Sequence, residues 1–434
     1  MEGFPVELIG NILSHVANVK DVVRASMTCR KWREALRHLH TLQQDQYSDR
    51  SFYNRKSKTL QFEFLLTDIV LQTMGLQTLR ILHGTKFSGT AVIAWLSHTG
   101  GSLRHLTYEV PMSTLNVDML ERCGKMRYLE SLRLRNTDIR LTTFPTPQRF
   151  TCLLSLTLYN LVDVTTFQLQ SLVAACRKLE SFSLVNSNVI PTDLHCILNL
   201  RSSSLKSFLL DDLSLNSVIL EASLLETLSL SASNLLSFKL VKKGARLSSL
   251  KISSVRFLGH FDIGNNTDCL DLQEVEVQSS CYTVWATIEC VLSKQSSKLR
   301  KLQLRSIPLD DDFVNLNLET IAFLFPRLSH LALSYKMMKE EVEDPSHPRM
   351  TVENQLQGGS TVFEKLRFLE LGCHEIDDKF LLLIDGVVKK CPNLIELLLT
   401  SQEDSEVIRG FLTSFVKVVN LFSHFDIKFT RAFY

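Results

Sequence analysis

"LESLRLR", residues 129–135, is the stretch that decides how the chain folds, because Leu129, Leu132 and Leu134 stand at a fixed spacing among polar residues. Successive side chains of a β-strand point to opposite faces, so Leu132 and Leu134 would face a core while Arg133 and Arg135 face outward. Each buried leucine contributes about 1.5–3 kcal/mol to folding. The stretch therefore predicts a short strand that is buried on one face.

The same spacing, L-x-x-L-x-L, returns along the chain. Fourteen copies run from Leu76/Leu79/Ile81 to Phe422/Phe425/Ile427, and their first residues lie mostly 20–29 apart. A unit of this length buries its apolar face only by stacking on its neighbours. Residues 165–178 and 377–390 carry apolar side chains at helical spacing. The pattern predicts an α/β solenoid with a parallel sheet on its concave face and a mostly helical convex face.

Two intervals depart from this rule. Between Leu205 and Leu247 the units shrink to 20 and 22 residues, which leaves no room for a helix, and extra copies lie half-way round at Leu215/Val218/Leu220 and Leu235/Phe238/Leu240. We expect these copies to form strands on the convex side. The opposite irregularity is a 38-residue interval after Leu328. Its polar segment 337–360 is interpreted either as a long exposed loop or as a tolerated disordered insertion.

Two cysteines occupy matching places in the repeats. Cys176 and Cys391 each precede a unit's first leucine by three residues, which resembles the cysteine-containing class of leucine-rich repeat. That resemblance implies a packing role rather than catalysis. The ten cysteines are otherwise scattered and lack the spacing of a zinc site. Free thiols in a reducing compartment are the expectation.

The N-terminal segment 4–36, FPVELIGNILSHVANVKDVVRASMTCRKWREAL, has a different pattern. Its apolar residues recur at helical spacing in three short blocks, and Pro5 suits the first turn of a helix. About 40 residues cannot close a core of their own without a metal, a disulfide or a partner. This segment is therefore predicted to be three helices that need another surface.

The order Phe4-Pro5, Glu7-Leu8-Ile9, Ile12-Leu13, then residues 22–26 (VVRAS) and 29–33 (CRKWR), resembles an F-box. In that family a three-helix module docks on the Skp-type adaptor of a cullin–RING ubiquitin ligase, the SCF complex. Phe4 stands where the family usually has leucine, and it keeps an apolar anchor. The adaptor-binding residues that the resemblance implies are Phe4, Pro5, Leu8, Ile9, Ile12, Leu13, Val22, Val23, Cys29 and Trp32. The alternative is a helical cap on the repeats.

The predicted domains are an F-box over residues 1–43, a linker and N-terminal cap of the solenoid over 44–75, and a solenoid of about 14 units over 76–434. The whole resembles plant and animal F-box/leucine-rich-repeat proteins, which implies a non-catalytic substrate-recognition subunit of an SCF-type ligase. A binding scaffold without turnover and an enzyme with an unrecognised site are the alternatives. Some plant relatives hold an inositol polyphosphate on the concave face, and this cofactor stays open.

The composition and the absence of recognisable motifs limit which partners and activities the chain is expected to have. The 48 Lys and Arg residues nearly balance 46 Asp and Glu residues, so there is no strong overall field to attract nucleic acid or an anionic membrane. No nucleophile motif, glycine-rich phosphate loop or metal-ligand cluster is recognisable. No hydrophobic run is long enough to cross a membrane, and no leader segment is recognisable. We expect a soluble intracellular protein of the nucleus or cytoplasm.

The outward strand positions suggest where a target would bind. Three arginines, Arg80, Arg133 and Arg135, fall on the concave face of the N-terminal repeats, with Tyr159 nearby. Arginine pairs well with carboxylate and phosphate, so an acidic or phosphorylated segment of a target is predicted to dock there. The alternative is that exposed strand positions simply take soluble residues. The segment 337–360 is the next candidate for recognition.

Overall fold

The structure is a computed structural model of the 434-residue chain. It describes residues 3–16, 18–45, 56–82, 87–110, 119–135, 150–161, 164–190, 197–213, 215–231, 235–241, 246–253, 258–263, 272–278, 284, 292, 298–308, 318–336, 362–373, 378–401 and 426–431. The chain divides into two compact units: Met1–Leu215 with Ile219–Ser223, and Asn216–Val218 with Leu224–Tyr434. The predicted loop over 337–360 lies outside the described residues.

The N-terminal module consists of the three helices that the sequence predicts, α1 (Val6–Ser14), α2 (Val19–Ser26) and α3 (Arg30–Glu34), followed by a 3₁₀ turn at Ala35–His38. The side chain of Asn18 caps α2 by accepting from the Lys20 N–H at 2.9 Å. Helix α1 packs against α3 and the 3₁₀ turn. The buried side chains between them are Ile9, Leu13, Val19, Val22, Ala35 and Leu36.

The main sheet of the first unit is parallel and follows the repeats. Its strands, in spatial order, are β1 (Thr41–Asp45), β2 (Thr78–Leu82), β3 (His105–Glu109), β4 (Ser131–Arg135), β5 (Ser155–Tyr159), β7 (Ser181–Ser187) and β10 (Ser207–Leu213). Leu79, Leu106, Leu132, Leu156 and Phe182 are register partners from strand to strand. The inward residues therefore form continuous buried rows.

Helices cover the inward rows of the first unit. They are α4 (Lys56–Gln72), α5 (Gly89–Thr99), α6 (Met119–Gly124) and α7 (Thr166–Ala175). Phe87 packs on Trp95 with ring centroids 5.4 Å apart, and the Trp95 indole donates to the Thr67 hydroxyl at 2.9 Å. The smaller strands β6 (Val164–Thr165) and β8 (Val189–Ile190) pair with each other, and β9 (Ile197–Ser202) returns in place of a helix.

The second unit continues the pattern. Its main sheet contains β12 (Thr227–Ser231), β14 (Ser249–Ser253), β16 (Glu274–Gln278), β17 (Lys301–Pro308), β18 (His330–Lys336), β19 (Phe368–Cys373), β20 (Glu396–Ser401) and β21 (Asp426–Arg431), all parallel. Two described helices belong to this unit, α8 (Leu318–Leu324) and α9 (Asp378–Lys389). Ile427 pairs with Leu397 and Phe429 pairs with Leu399, so Ile427 takes the second inward position and not the third, and the last copy is shifted by two residues from the predicted Phe422/Phe425/Ile427. Phe422 and Phe425 lie outside the described residues.

Short return strands replace helices in the compact middle units, as the spacing predicts. They are β11 (Ser217–Ala222), β13 (Ser237–Leu240) and β15 (His260–Asp262). The N–H groups of Leu236 and Ser237 both donate to the Asn216 carbonyl, and Phe238 stacks on Phe261 at 5.5 Å. These strands carry Val218, Leu220 and Phe238 into the core. The prediction of convex-side strands is confirmed, and β9 and β15 extend it by one unit on each side.

The sheet also begins earlier than the sequence indicates. Strand β1 pairs in register with β2, and Leu39, Leu42 and Gln44 occupy the three inward positions of a repeat. Helix α4 packs on α5, as the return helix of this unit would. Residues 39–45 therefore carry the first repeat strand, which begins inside the predicted F-box range 1–43, and the described parts of 44–75 continue this repeat at the predicted N-terminal cap of the solenoid. The sequence does not reveal it because its third inward position is the polar Gln44.

Candidate functional site

Helix α1 exposes a stripe of large apolar side chains. Leu8 and Ile12, four residues apart on one side of the helix, are 41% and 44% exposed, and Phe4 just before the helix is 47% exposed. We call Phe4, Leu8 and Ile12 the apolar face. Polar Glu7, Asn11 and His15 are exposed beside it. Such a group on a small module is typical of a surface that a partner covers.

The predicted adaptor-binding residues fall into two sets. Pro5 and Cys29 are exposed like the apolar face, and Val23 and Trp32 are half-buried. Ile9 and Leu13 are buried because their stripe of α1 packs on the 3₁₀ turn and α3, and Val22 is buried on α2. These three side chains are covered in the free chain, and their predicted contact with an adaptor stays a prediction.

The module is joined directly to the repeats. The Ser14 hydroxyl donates to the Gly10 carbonyl at 2.9 Å and accepts from the His40 N–H at 3.1 Å. The His40 carbonyl in turn accepts from the N–H groups of Gln77 and Thr78, each at 2.9 Å. Since β1 starts at Thr41, the hydrogen bonds of α1 continue into the first two strands of the sheet without an intervening linker.

Side chains of β3, β4 and β5 converge on the other candidate site. Glu109 is only 4% exposed, and its carboxylate accepts from Arg133 Nε at 2.5 Å and lies 3.6 Å from Arg135 Nη1. The Arg133 guanidinium carbon lies 4.6 Å from the centre of the Tyr159 ring, at cation–π distance. We call Arg80, Arg133, Arg135, Glu109 and Tyr159 the arginine cluster.

Strand register explains why these residues meet. Glu109 stands opposite Arg135, and Arg135 stands opposite Tyr159 on the next strand. Arg80 is the register partner of Thr107, which partners Arg133, so Arg80 lies in the same row two strands away and is exposed. The sequence identified the three arginines and Tyr159 but not the role of Glu109. The sequence does contain a signal for this role, because Glu109 and Arg135 occupy equivalent positions in consecutive repeats and are therefore expected to be neighbours in the sheet.

Other ionisable groups have structural explanations. Burial raises the pKa of the Cys176 and Cys391 thiols to about 12, so both stay neutral at ordinary pH and serve the core. Within the described ranges, no three His, Cys, Asp or Glu side chains come together where they could hold a metal ion.

Among the helical segments that the structure describes, none is both long and apolar enough to span a membrane.

Comparison with known proteins agrees with both parts of this architecture. Residues 1–42 match the family described as F-box-like, and residues 103–281 match the leucine-rich repeats of the FBD-associated F-box protein At5g56370. The chain is 36% identical over 439 residues to the F-box/LRR-repeat protein At1g67190 of Arabidopsis thaliana, covering 99% of each chain. The α1–α3 module followed by parallel repeat strands is the arrangement these names describe. The chain belongs to the F-box/LRR-repeat protein family.

Proposed function

We propose that this protein is the substrate-recognition subunit of an SCF-type cullin–RING ubiquitin ligase. Its N-terminal module binds a Skp-type adaptor, and through it a cullin, while the repeats bind a target protein for ubiquitination. The chain performs no chemistry itself, because the other subunits supply ubiquitin transfer. The observation that carries the proposal is the apolar face of α1, which the chain leaves uncovered.

The energetics favour a protein partner for this face. Burying a large apolar side chain contributes about 1.5–3 kcal/mol, so covering Phe4, Leu8 and Ile12 supplies a compact group of anchors. The outward positions of the repeat strands are different, because residues such as Thr107, Arg133 and Thr157 there are polar. The apolar face of α1 therefore differs from the polar outward face of the repeat strands.

The test compares two charge-introducing variants of the full-length protein. Leu8→Asp combined with Ile12→Asp places charges where a partner would exclude water, which costs several kcal/mol of binding. Asn11→Asp adds a charge to the same exposed stretch of helix without removing an apolar anchor. We expect at least a 100-fold loss of affinity for a purified Skp-type adaptor with the double variant and less than a threefold change with the control. The unfolding temperature should be the same for both, and adaptor affinity within threefold for the double variant would contradict the proposal.

Cysteine alkylation gives an independent footprint. Cys29 is exposed in the predicted adaptor-binding set, whereas Cys176 is buried in the repeats. Adaptor binding should slow the reaction of Cys29 with iodoacetamide, and Cys176 should stay unreactive with or without adaptor. Equal Cys29 reactivity in both samples would exclude Cys29 from the contact.

The alternative function is a binding scaffold that assembles with the adaptor but does not promote degradation. Replacing the native protein in cells with the Leu8→Asp/Ile12→Asp variant distinguishes the two, because a receptor variant should lengthen the half-life of its bound target and a scaffold variant should not. Deleting residues 1–43 is a poorer test, since it removes most of β1 from the sheet.

The nucleus or cytoplasm, where SCF ligases act, is the compartment we propose. Inositol polyphosphate is not part of the proposal. In the first unit, three arginines lie on one face of the sheet and the Glu109 carboxylate already contacts two of them, which is little charge for a polyphosphate.

A further inference from the structure

We propose that the arginine cluster binds an oxyanion, a carboxylate or phosphate carried by an extended segment of the target protein, in the row between Arg80 and Arg133. The proposal deepens the proposed function and rests on it, because it names the chemistry that the receptor recognises. Four observations support it.

The Arg133 guanidinium is held in place before any ligand arrives. Its Nε donates to Glu109 at 2.5 Å, and its guanidinium carbon lies 4.6 Å from the centre of the Tyr159 ring. Among the described residues these contacts engage Nε alone, so the two terminal nitrogens are available there for paired hydrogen bonds to two oxygens of one anion. A guanidinium that is already ordered loses little side-chain entropy when it binds.

The neighbouring positions leave room for a ligand. Thr107 separates Arg80 from Arg133 along the row, and Thr157 follows Arg133 on the other side. With strands about 4.8 Å apart, the two arginine Cα atoms lie about 10 Å from each other, a distance that two long side chains close around one tetrahedral or planar anion. The Thr107 hydroxyl between them can donate to the same group.

The charge balance favours an anion. The five residues of the arginine cluster carry three positive charges and one negative charge, a formal net charge of +2. Glu109 is almost completely buried, so a ligand that approaches from solvent meets the guanidinium groups before the carboxylate. The attraction between the guanidinium groups and an anion is stronger at the protein surface than in bulk water, because the effective dielectric constant is lower there.

In the second unit, cations at outward strand positions are paired with carboxylates of the same sheet. There Lys251 pairs with Glu276 at 3.0 Å, and Arg305 pairs with Glu370 at 3.3 Å. Each of these cations has a carboxylate of its own. Lys251 occupies the same position in its strand as Arg133 does in β4, between two buried residues. It is therefore a matched control for the loss of one cation.

The experiment measures fluorescence polarisation of three labelled Gly/Ser decapeptides with the full chain bound to its adaptor. One peptide carries two phosphoserines, one carries two glutamates at the same positions, and one carries neither. The proteins are the wild type, Arg80→Ala, the double variant Glu109→Gln/Arg133→Gln and Lys251→Ala. The double variant removes one charge of each sign, so the net charge of the cluster is unchanged and no buried carboxylate is left without a partner.

We expect an anionic peptide to bind the wild type at least tenfold more tightly than the neutral peptide. Arg80→Ala and the double variant should each weaken that binding at least tenfold, and Lys251→Ala should leave it within twofold. Tighter binding of the phosphoserine peptide identifies a phosphorylated segment as the source, and equal binding of both anionic peptides identifies an acidic one.

Two results would overturn the proposal. The first is equal binding of all three peptides to the wild type. The second is unchanged binding by both arginine variants, which would mean that the arginines only neutralise Glu109. Adaptor affinity is measured in the same samples: the arginine variants should retain it, and Leu8→Asp/Ile12→Asp should lose it while free chain still binds the anionic peptide. Failure of the oxyanion site is thereby distinguished from failure of the receptor assignment.

Discussion

Helix α1 and strand β4 both place apolar residues at the period of their secondary structure, but they use them differently. In β4, Leu132 and Leu134 are completely buried and the residues between and after them are arginines. In α1, Ile9 and Leu13 are buried while Leu8 and Ile12 remain exposed. A repeat strand is buried on one face only, and its other face carries polar residues that are exposed to solvent. The module has apolar residues on two faces, and the chain covers one of them.

This difference separates two roles of hydrophobic residues. In the repeats, burial within the chain accounts for each inward leucine, and stability is the sum of contacts between neighbouring units. In the module, the covered stripe of α1 supplies stability and the uncovered stripe is available for binding. Substitutions should therefore affect folding and binding separately in α1, whereas in the repeat core they should affect folding alone.

The largest effect should come from charging the covered stripe. Ile9→Asp buries a carboxylate among Leu13, Val22 and Leu36 and should destabilise the module by on the order of 4–5 kcal/mol. Leu8→Asp should change the free energy of unfolding by less than about 0.5 kcal/mol, because that side chain faces water in the free protein. Hydrogen exchange of the α1 amides measures both. Similar losses of protection in the two variants would remove the distinction between the stripes.

A cavity in the repeat core should have the next largest effect. Leu302 is fully buried in β17, so Leu302→Ala should cost about 2–5 kcal/mol. Gln303 is the next residue and points to the other side of the strand, so Gln303→Ala should cost little. Urea denaturation of both variants tests the inward and outward assignment. Equal destabilisation would contradict it.

Overpacking tests how closely the covered face of α1 fits. A Cβ atom at Gly10 would lie 2.6 Å from the Cβ of His38 and 2.9 Å from the Ala35 carbonyl oxygen. Gly10→Ala should therefore destabilise by about 1–3 kcal/mol even though alanine favours the helix.

Gly75→Ala is the matched control, because no heavy atom lies within 4 Å of the added carbon. The midpoint of thermal unfolding should be lower for Gly10→Ala than for the wild type, and almost unchanged for Gly75→Ala. A Gly10→Ala protein as stable as the wild type would mean that α1 can move away from the 3₁₀ turn at no cost.

The smallest effect concerns helix caps, which also differ between the two regions. Helix α1 begins without a side-chain cap, whereas α7 begins with a capping box in which Thr165 and Gln168 each accept the other's backbone N–H, at 3.2 and 2.8 Å. Thr165→Ala should cost about 1 kcal/mol, and Thr165→Ser should restore most of it. Denaturant midpoints measure this, and no difference between the alanine and serine variants would show that the cap adds nothing.

Periodic burial made most of the fold predictable. The L-x-x-L-x-L copies correspond to strands such as β4, and the short spacing around Leu215 and Leu235 correctly predicted return strands. The first repeat was missed at Gln44, a polar residue that is only 2% exposed. A pattern of apolar residues cannot detect an inward position whose side chain is buried by its neighbours rather than by its own hydrophobicity.

The candidate sites were less predictable, because they depend on contacts between distant residues. Ile9 and Leu8 are equally apolar in sequence, and only the position of the 3₁₀ turn decides which of them is covered. In the sequence Arg133 is only an outward cation, whereas in the structure its side chain contacts Glu109 and Tyr159 from the two neighbouring strands. Sequence identified the residues of the arginine cluster that face solvent, and the structure identified the carboxylate that organises them.

Because α1 is joined directly to β1, the position of a strand in the sheet determines its distance from the N-terminal module. With no linker to absorb movement between Ser14, His40 and the first strands, each successive strand of the first unit lies one further step of about 4.8 Å from the N-terminal module. In the proposed receptor the protein would act as a molecular ruler. The strand on which a target binds would set how far its lysines lie from the ubiquitin-transferring subunits, and so which of them can be modified.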